Sequence, residues 1–414
     1  MRWRRGPTAL LATLIVGVSP SAPAQDLPSG PLVFGAGRVT VGGEASATFS
    51  CASTADDACS DDTGFFNYSD YERSTLRGTR FDLTASVKAS GHVWVLADLR
   101  VENGRRPTPY ALYARIRPWE RRPFDIQVGR IPPTFGSFSR RTYANDNFLI
   151  GYPLAYQYLT SLRPDALPAN ADELLRMRGR GWLSSFSVGN QTPDRGLPIA
   201  NVFRWDTGVQ VHIATRLVDA AASATTGSLG NPLVGDDNAG RQVAGRAALH
   251  PSPGLIVGGS ISRGPFVART AGAAGGVSLD TRRYTQTAVG VDAEYSRQHY
   301  LVRLEAIASW WTLPALGSPS LAEPLGAVAT SIEGRYKIHP RWYAGARFDR
   351  LGFSTITGTT HADSWDAPVT RIEVGGGYSV QRNLHLKMTF QHNTRDGGRV
   401  RTLDLGAVQI LFWF

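Results

Sequence analysis

The sequence predicts an all-β chain: a transmembrane, antiparallel up-and-down β-barrel of about sixteen strands, with a long third external loop that contains a short helix. Three observations predict it. Short segments alternate apolar with ionisable or small polar residues at period two, the strand period. Tight turns and longer polar loops join these segments in alternation. Beyond residue 24 no apolar run approaches the roughly 20 residues of a spanning helix, because Arg, Asp, Glu, Gly or Ser soon interrupts each one.

The chain opens with Arg2, Arg4 and Arg5, then the apolar run from Ala9 to Val18, then Ala22-Pro23-Ala24. Charge, apolar core and small-residue cleavage site in that order read as a secretory signal peptide over 1–24. The apolar run is about half of what a membrane anchor requires. Residues 25–36 then form a short periplasmic segment, too short for a plug domain, and 37–414 form the barrel.

The whole chain carries 44 Lys+Arg against 34 Asp+Glu. Without the three leader arginines the balance is +7. The basic residues are interleaved with acids along the strands and make no single stripe, which with export argues against nucleic acid as a partner. Cys51 and Cys59 lie close together beyond the leader, where an oxidising periplasm permits a disulfide, and we expect one small loop staple. Two thiols without a clustered His are an incomplete zinc site, so no metal is expected. Asp56, Asp57, Asp61 and Asp62 around the cysteines have the oxygen chemistry for Ca²⁺ but no loop template, and read as a solvated tip.

Counting back from the C-terminus, strands are expected near 399–414, 383–394, 367–381, 340–353, 326–338, 299–311, 284–296, 254–264, 240–250, 218–229 and 203–216, then 123–131, 109–118, 92–102, 74–88 and 37–50. The even count puts both termini on the periplasmic side. Tyr300, Val302, Leu304, Ala306, Ala308 and Trp310 share one face, opposite Arg303, Glu305 and Ser309. The same register turns Glu333, Arg335, Arg347, Asp349, Arg371 and Glu373 inward, and with Arg303 and Glu305 these form the expected pore wall. A soluble sandwich also alternates. Aromatics at strand ends, such as Tyr336 with Trp342, favour the membrane, where they would form interfacial girdles.

The segment 132–202 lacks alternation and is too long to be a mere connection. Phe135, Phe138, Tyr143, Phe148, Tyr152, Tyr156 and Tyr158 supply packing anchors that a disordered tail lacks. Asn170 with Glu173 three residues on, and Gly179 after Arg178, mark the caps of a short helix. Its charges, Arg140, Arg141, Asp146, Arg163, Asp165, Asp172, Glu173, Arg176, Arg178 and Arg180, would line a constriction if the loop folds inward. As an external lid they would only face water.

In the last strand Gly406, Val408, Ile410, Phe412 and Phe414 fall at every second position and end on an aromatic. With the strand count, this resembles the Gram-negative outer-membrane porins of the sixteen-stranded type. The resemblance implies that Phe412 and Phe414 form the signal read by the barrel-assembly machinery, that the third external loop folds inward as the constriction, and that the chain forms a homotrimer in outer-membrane lipid. The chain departs from the family in its longer loop and in lacking the acidic motif of the best-known general porins.

The expected function is passive diffusion of small hydrophilic solutes or ions through a water-filled lumen, with a weak anion preference from the surplus arginine. A substrate-specific passive channel for sugar or phosphate is the alternative, with Trp94, Tyr113, Trp205, Tyr343 and Trp413 as stacking surfaces. A barrel hydrolase is the rival from another class. His92, His212, His385 and His392 lie on strands, but no nucleophile-elbow or metal spacing accompanies them. Neither catalytic residues nor a cofactor are expected.

Overall fold

Each strand carries backbone N–H and C=O groups along both of its edges, and a closed ring gives every strand the two neighbours that pair them. The computed structural model describes residues 30–53, 66–68, 78–119, 122–276 and 279–414. The expected signal peptide, Cys59 and the Asp56–Asp62 acids lie outside the described residues.

Sixteen strands form the ring: β1 (Val39–Ser53), β2 (Arg80–Lys88), β3 (Val93–Glu102), β4 (Thr108–Ile116), β5 (Phe124–Ile131), β6 (Asp206–Ala214), β7 (Val218–Thr225) and β8 (Gln242–Ser252). They continue as β9 (Leu255–Pro265), β10 (Thr285–Arg297), β11 (Tyr300–Trp311), β12 (Leu325–His339), β13 (Trp342–Phe353), β14 (Val369–Gln381), β15 (Leu384–Arg395) and β16 (Thr402–Trp413). Each pairs antiparallel with the next. The ring closes where β16 meets β1, from Glu44 opposite Trp413 to Ser53 opposite Asp404.

All sixteen expected strands are present, with small differences at their ends. β1 runs through Ser53 because β16 keeps pairing with it, so Cys51 lies on a strand and not in the first loop. Cys51 is disulfide-bonded. β6 begins at Asp206, three residues later than expected, and the third loop is therefore 132–205. The N-terminal segment is not wholly irregular: Leu32–Phe34 folds back on the start of β1, with Leu32 opposite Val41.

Tight turns close one end of the barrel. At Pro253-Gly254, Gly254 has φ +81° and a Cβ there would lie 2.0 Å from the Ser296 carbonyl oxygen, so the turn admits no side chain. The other end carries the longest connections, among them 132–205 after β5 and 266–284 after β9. β4 to β7 have only eight or nine residues each, whereas β10 to β16 have 12 to 15, so one side of the wall is low.

The alternation faces the opposite way from a soluble sandwich. Val302, Leu304, Ile332, Phe348, Ile372 and Phe390 are exposed on the outside, while Arg347, Asp349, Arg371 and Glu373 are buried within. A continuous apolar belt of this size has no stable place in water and matches the hydrocarbon layer of a membrane. Trp342 with Tyr378 (4.5 Å between ring centres) and Tyr300 with Tyr336 (4.9 Å) form an aromatic rim at the turn end. No helix among the described residues is long and apolar enough to cross a membrane. The hydrophobic core is inside the ring, where loop residues Phe135, Phe138, Tyr156, Leu162 and Trp365 pack with strand residues such as Ile307 and Trp311.

Candidate functional site: the lumenal loop

Pro132-Pro133 follow Ile131 directly and lack the N–H groups that would extend β5. The chain then turns into the lumen. Thr134 Oγ1 hydrogen-bonds Ser223 Oγ (2.8 Å), and Gly136 N donates to Ser260 Oγ (3.1 Å). Glu305 on β11 accepts from Ser137 N (2.6 Å) and from the Tyr156 hydroxyl (2.9 Å), clamping the descending and returning arms at one carboxylate.

At the tip the loop reaches the opposite wall. Glu44 on β1 accepts from Ala144 N (2.7 Å) and Asn145 N (3.0 Å), and the Tyr143 hydroxyl donates to Asp98 on β3 (2.7 Å). Burial, with the Asp98 carboxylate, holds the Tyr143 phenol well above its ordinary value. Lys387 on β15 donates to the carbonyls of Ala144 (2.6 Å) and Asn147 (2.5 Å). On the return, Gly151 N donates to Glu373 (3.1 Å) while Arg347 donates to the Gly151 carbonyl. Gly151 is so close to the wall that a Cβ would lie 2.2 Å from Gln391 Nε2.

These contacts have one physical cause. A segment without a ladder of its own carries backbone donors and acceptors that must be paired when buried. The inward charges of the strands supply the partners. They also pair with each other: Arg371 with Asp349 (2.6 Å), Arg347 with Glu373 and with Glu333 (3.3 Å), Arg303 with Glu294 (2.7 Å), Arg100 with Asp82 (2.5 Å) and Arg246 with Asp292. Buried ion pairs of this kind add little net stability, but removing one partner strands the other charge. Arg335 differs: among the described residues no carboxylate forms an ion pair with it, and its Nε has no hydrogen-bond partner.

From Ser161 onward the loop lies at the loop end of the barrel. Helix α1 (Leu154–Gln157) precedes this part and α2 (Ala171–Arg176) lies within it. Asn170 Oδ1 accepts from Glu173 N (2.9 Å), the N-cap bond that the sequence indicates. The Glu173 carboxylate reaches back to Ala169 N (2.7 Å). Asp366, in the loop after β13, accepts from Ser161 N (2.6 Å) and Gly179 N (2.8 Å), and Asp172 accepts from Thr359 N (2.7 Å). The loop thus packs against β9 to β15, and among the described residues it leaves β1 to β3 largely uncovered on the loop side of its tip contacts at Glu44 and Asp98. There a polar space of about 130 Å³ is lined by Ser46, Thr48, Ser50, Arg80, Glu102, Tyr152, Phe203 and Gln409, among others.

No protein-family model and no curated protein matches the sequence. Solved structures do match the fold. A porin from Comamonas acidovorans, described as anion-selective, superposes with a TM-score of 0.56 at 9% identity, over 91% of this chain and 99% of its own. OmpT of Vibrio cholerae gives 0.53 at 10% identity, over 92% and 100%. The channel DcaP of Acinetobacter baumannii gives 0.52 at 12%, over 91% and 97%. The fold is that of the outer-membrane porins.

Within the porin fold the ten charged loop residues separate into two groups. Arg140, Arg141 and Asp146 lie at the lumenal tip, with Arg140 near Asp219 (3.3 Å), Arg141 on Glu333 (2.5 Å) and Asp146 exposed. Arg163, Asp165, Asp172, Glu173, Arg176, Arg178 and Arg180 belong to the part at the loop end. Arg163 there is buried, donating to the carbonyls of Ser184 (2.8 Å) and Thr192 (2.7 Å), and Arg178 hydrogen-bonds Ser364 Oγ (2.9 Å). Arg176 and Arg180 are exposed. Of the candidate stacking aromatics, Trp205 packs on Tyr110 and Tyr113, and the Tyr343 hydroxyl donates to the Phe148 carbonyl (3.0 Å).

The histidines are scattered: His212 lies by Asp219 (3.3 Å), His385 by Ser379 Oγ (3.0 Å) and His392 by Asp404 (2.6 Å), on different parts of the wall. The sequence reading passed over Glu44, which anchors the tip. Its only signal was being the lone acid on the inward face of β1. Phe414 closes the seam, its backbone exchanging hydrogen bonds with Gly43 (2.9 and 3.1 Å).

Proposed function

We propose that this chain is an outer-membrane porin, a non-enzymatic channel for passive diffusion of small hydrophilic solutes, with the lumenal part of the third loop as its constriction. The observation that carries this reading is the strapping of residues 134–157 across a closed barrel by Glu305, Glu44, Lys387 and Glu373, beside which a polar lane remains among the described residues. The loop end faces outward and the turn end faces the periplasm. Purified protein added to a planar lipid bilayer will give stepwise, ohmic conductance. Insertion without conductance steps would refute the channel.

Ion selectivity follows from the charges left over after pairing. Most wall arginines are neutralised by carboxylates, and Arg335 is the one left unpaired among the described wall arginines discussed above, which supports a weak anion preference. Reversal potentials in a salt gradient test it, and a cation preference would overturn it. We also propose a homotrimer. Strands of eight or nine residues lie at or just below the lower end of the roughly 9–11 that a lipid-facing strand needs, and the low wall of β4 to β7 suits a protein neighbour. OmpT of Vibrio cholerae is itself recorded in a trimer form. Mass measurement in mild detergent decides this, a monomer being the refuting result. Phe412 and Phe414, stacked 6.2 Å apart beside the seam, are proposed as the assembly signal, and replacing both with Ser should lower insertion in cells.

A further inference from the structure

The open lane has a chemical character of its own. Ser46, Thr48 and Ser50 occur at every second position of β1, all inward and partly exposed, which spaces their hydroxyls by about 7 Å along the strand. Gln409 on β16 donates from Nε2 to Thr48 Oγ1 (2.9 Å), and its Oε1 is buried with no hydrogen-bond partner. Across the lane, Tyr152 and Phe203 stand edge to face at 5.4 Å.

The charges in the lane are largely committed. Arg80 is shared between Glu102 (2.9 Å) and the Tyr152 hydroxyl (2.9 Å). Below the lane, both oxygens of Glu44 are occupied by backbone N–H groups. Arg105 and Asn103, from the connection between β3 and β4, also line the lane. A free anion would have to draw Arg80 from an existing pair and surrender its own hydration. Hydroxyls that both donate and accept, an unpaired amide oxygen and an aromatic edge complement a solute that is rich in hydroxyl groups and has apolar C–H faces.

We propose that this lane is a binding site for neutral, polyhydroxylated solutes of the saccharide class, which dwell there in transit. The proposal rests on the channel reading above.

Two measurements on the purified full chain test it. In single-channel recording, millimolar sucrose or raffinose should interrupt the current in a concentration-dependent way, and inorganic phosphate at equal ionic strength should not. Phe203→Ala and Gln409→Leu should each shorten the interruptions about tenfold. Equilibrium dialysis of labelled raffinose against detergent-solubilised protein provides the second readout, in which both variants should bind about tenfold more weakly. Current without sugar interruptions, interruptions unchanged in both variants, or interruptions by phosphate in preference to sugar would overturn the proposal. Raffinose binding without conductance would support the site while refuting the channel. Absence of both would refute both.

Discussion

Glu305→Ala removes the carboxylate that joins the two arms of the lumenal loop. Glu305 is buried and accepts from Ser137 N at 2.6 Å and the Tyr156 hydroxyl at 2.9 Å, with Phe138 N more distant at 3.4 Å. The first two are close, charge-assisted hydrogen bonds, each contributing about 1.5–3 kcal/mol. Losing both costs about 3–6 kcal/mol, offset in part because a buried carboxylate need no longer be desolvated. A net loss of about 3 kcal/mol raises local opening by roughly 100-fold, at about 1.4 kcal/mol per factor of ten. Glu305→Gln retains an acceptor, and because neutral bonds are roughly half as strong, opening should rise only about tenfold.

The assay is hydrogen exchange followed by mass spectrometry on peptides covering 133–158. Exchange should rank wild type slowest, Gln intermediate and Ala fastest, with the strand peptides unchanged because the ladder of β11 does not depend on this side chain. Channel current should become noisier in the same order. Unchanged exchange in Glu305→Ala would refute the view that wall carboxylates hold the loop. A uniform rise across strand peptides would refute it too, by showing that Glu305 supports the barrel itself.

Three further outcomes are expected. Arg335→Glu reverses one unpaired charge; at about 8 Å in water, screened by one Debye length, a unit charge acts on an ion by about 0.2 kcal/mol, so the anion-to-cation permeability ratio should fall roughly fourfold. Reversal potentials measure this, and an unchanged ratio would show that Arg335 does not set the field. Asn170→Ala removes the N-cap of α2 and should cost about 1 kcal/mol locally, read as faster exchange in 166–180 without loss of conductance. Burial alone would raise the Asp165 carboxyl, but hydrogen bonds from Arg163 and Asn190 outweigh it and hold the group below its ordinary value; Asp172 is held low by the hydroxyl and N–H of Thr359. Carboxyls depressed in the fold stabilise it fully above the unfolded value of about 3.9 and cease to do so as pH falls through the folded value. The mouth of the barrel should therefore become protease-sensitive below about pH 3.9 and stay resistant at pH 5, and equal resistance at pH 3 would contradict the assignment.

The strands were legible because their cause is local. Val302, Leu304 and Arg303 report their faces through spacing alone, and two-residue turns such as Arg382-Asn383 fix where one strand ends and the next begins. Helix α2 was legible for the same reason, since Asn170 and Glu173 sit within one turn. The course of the third loop was not. Gly151 and Glu373 are 222 residues apart, and nothing in either neighbourhood records that they meet. The ten loop charges looked alike in sequence, yet Arg141 faces Glu333 at the tip while Arg163 is locked among carbonyls at the mouth.

The charge surplus of a barrel is therefore a poor guide to its selectivity when a loop fills the lumen. Arg347 and Glu373 would count as pore charges in any sequence tally, but both are spent on each other and on the backbone of Gly151. Neutralising either should move the loop before it moves the ion preference, because an uncompensated buried partner costs more than the pair contributed. Among the described residues Arg335 has no such second task, so its replacement should act on the field alone. Comparing Glu373→Gln with Arg335→Gln separates the two roles. The first should change conductance and exchange in the loop at nearly constant permeability ratio, and the second should change the ratio at nearly constant exchange.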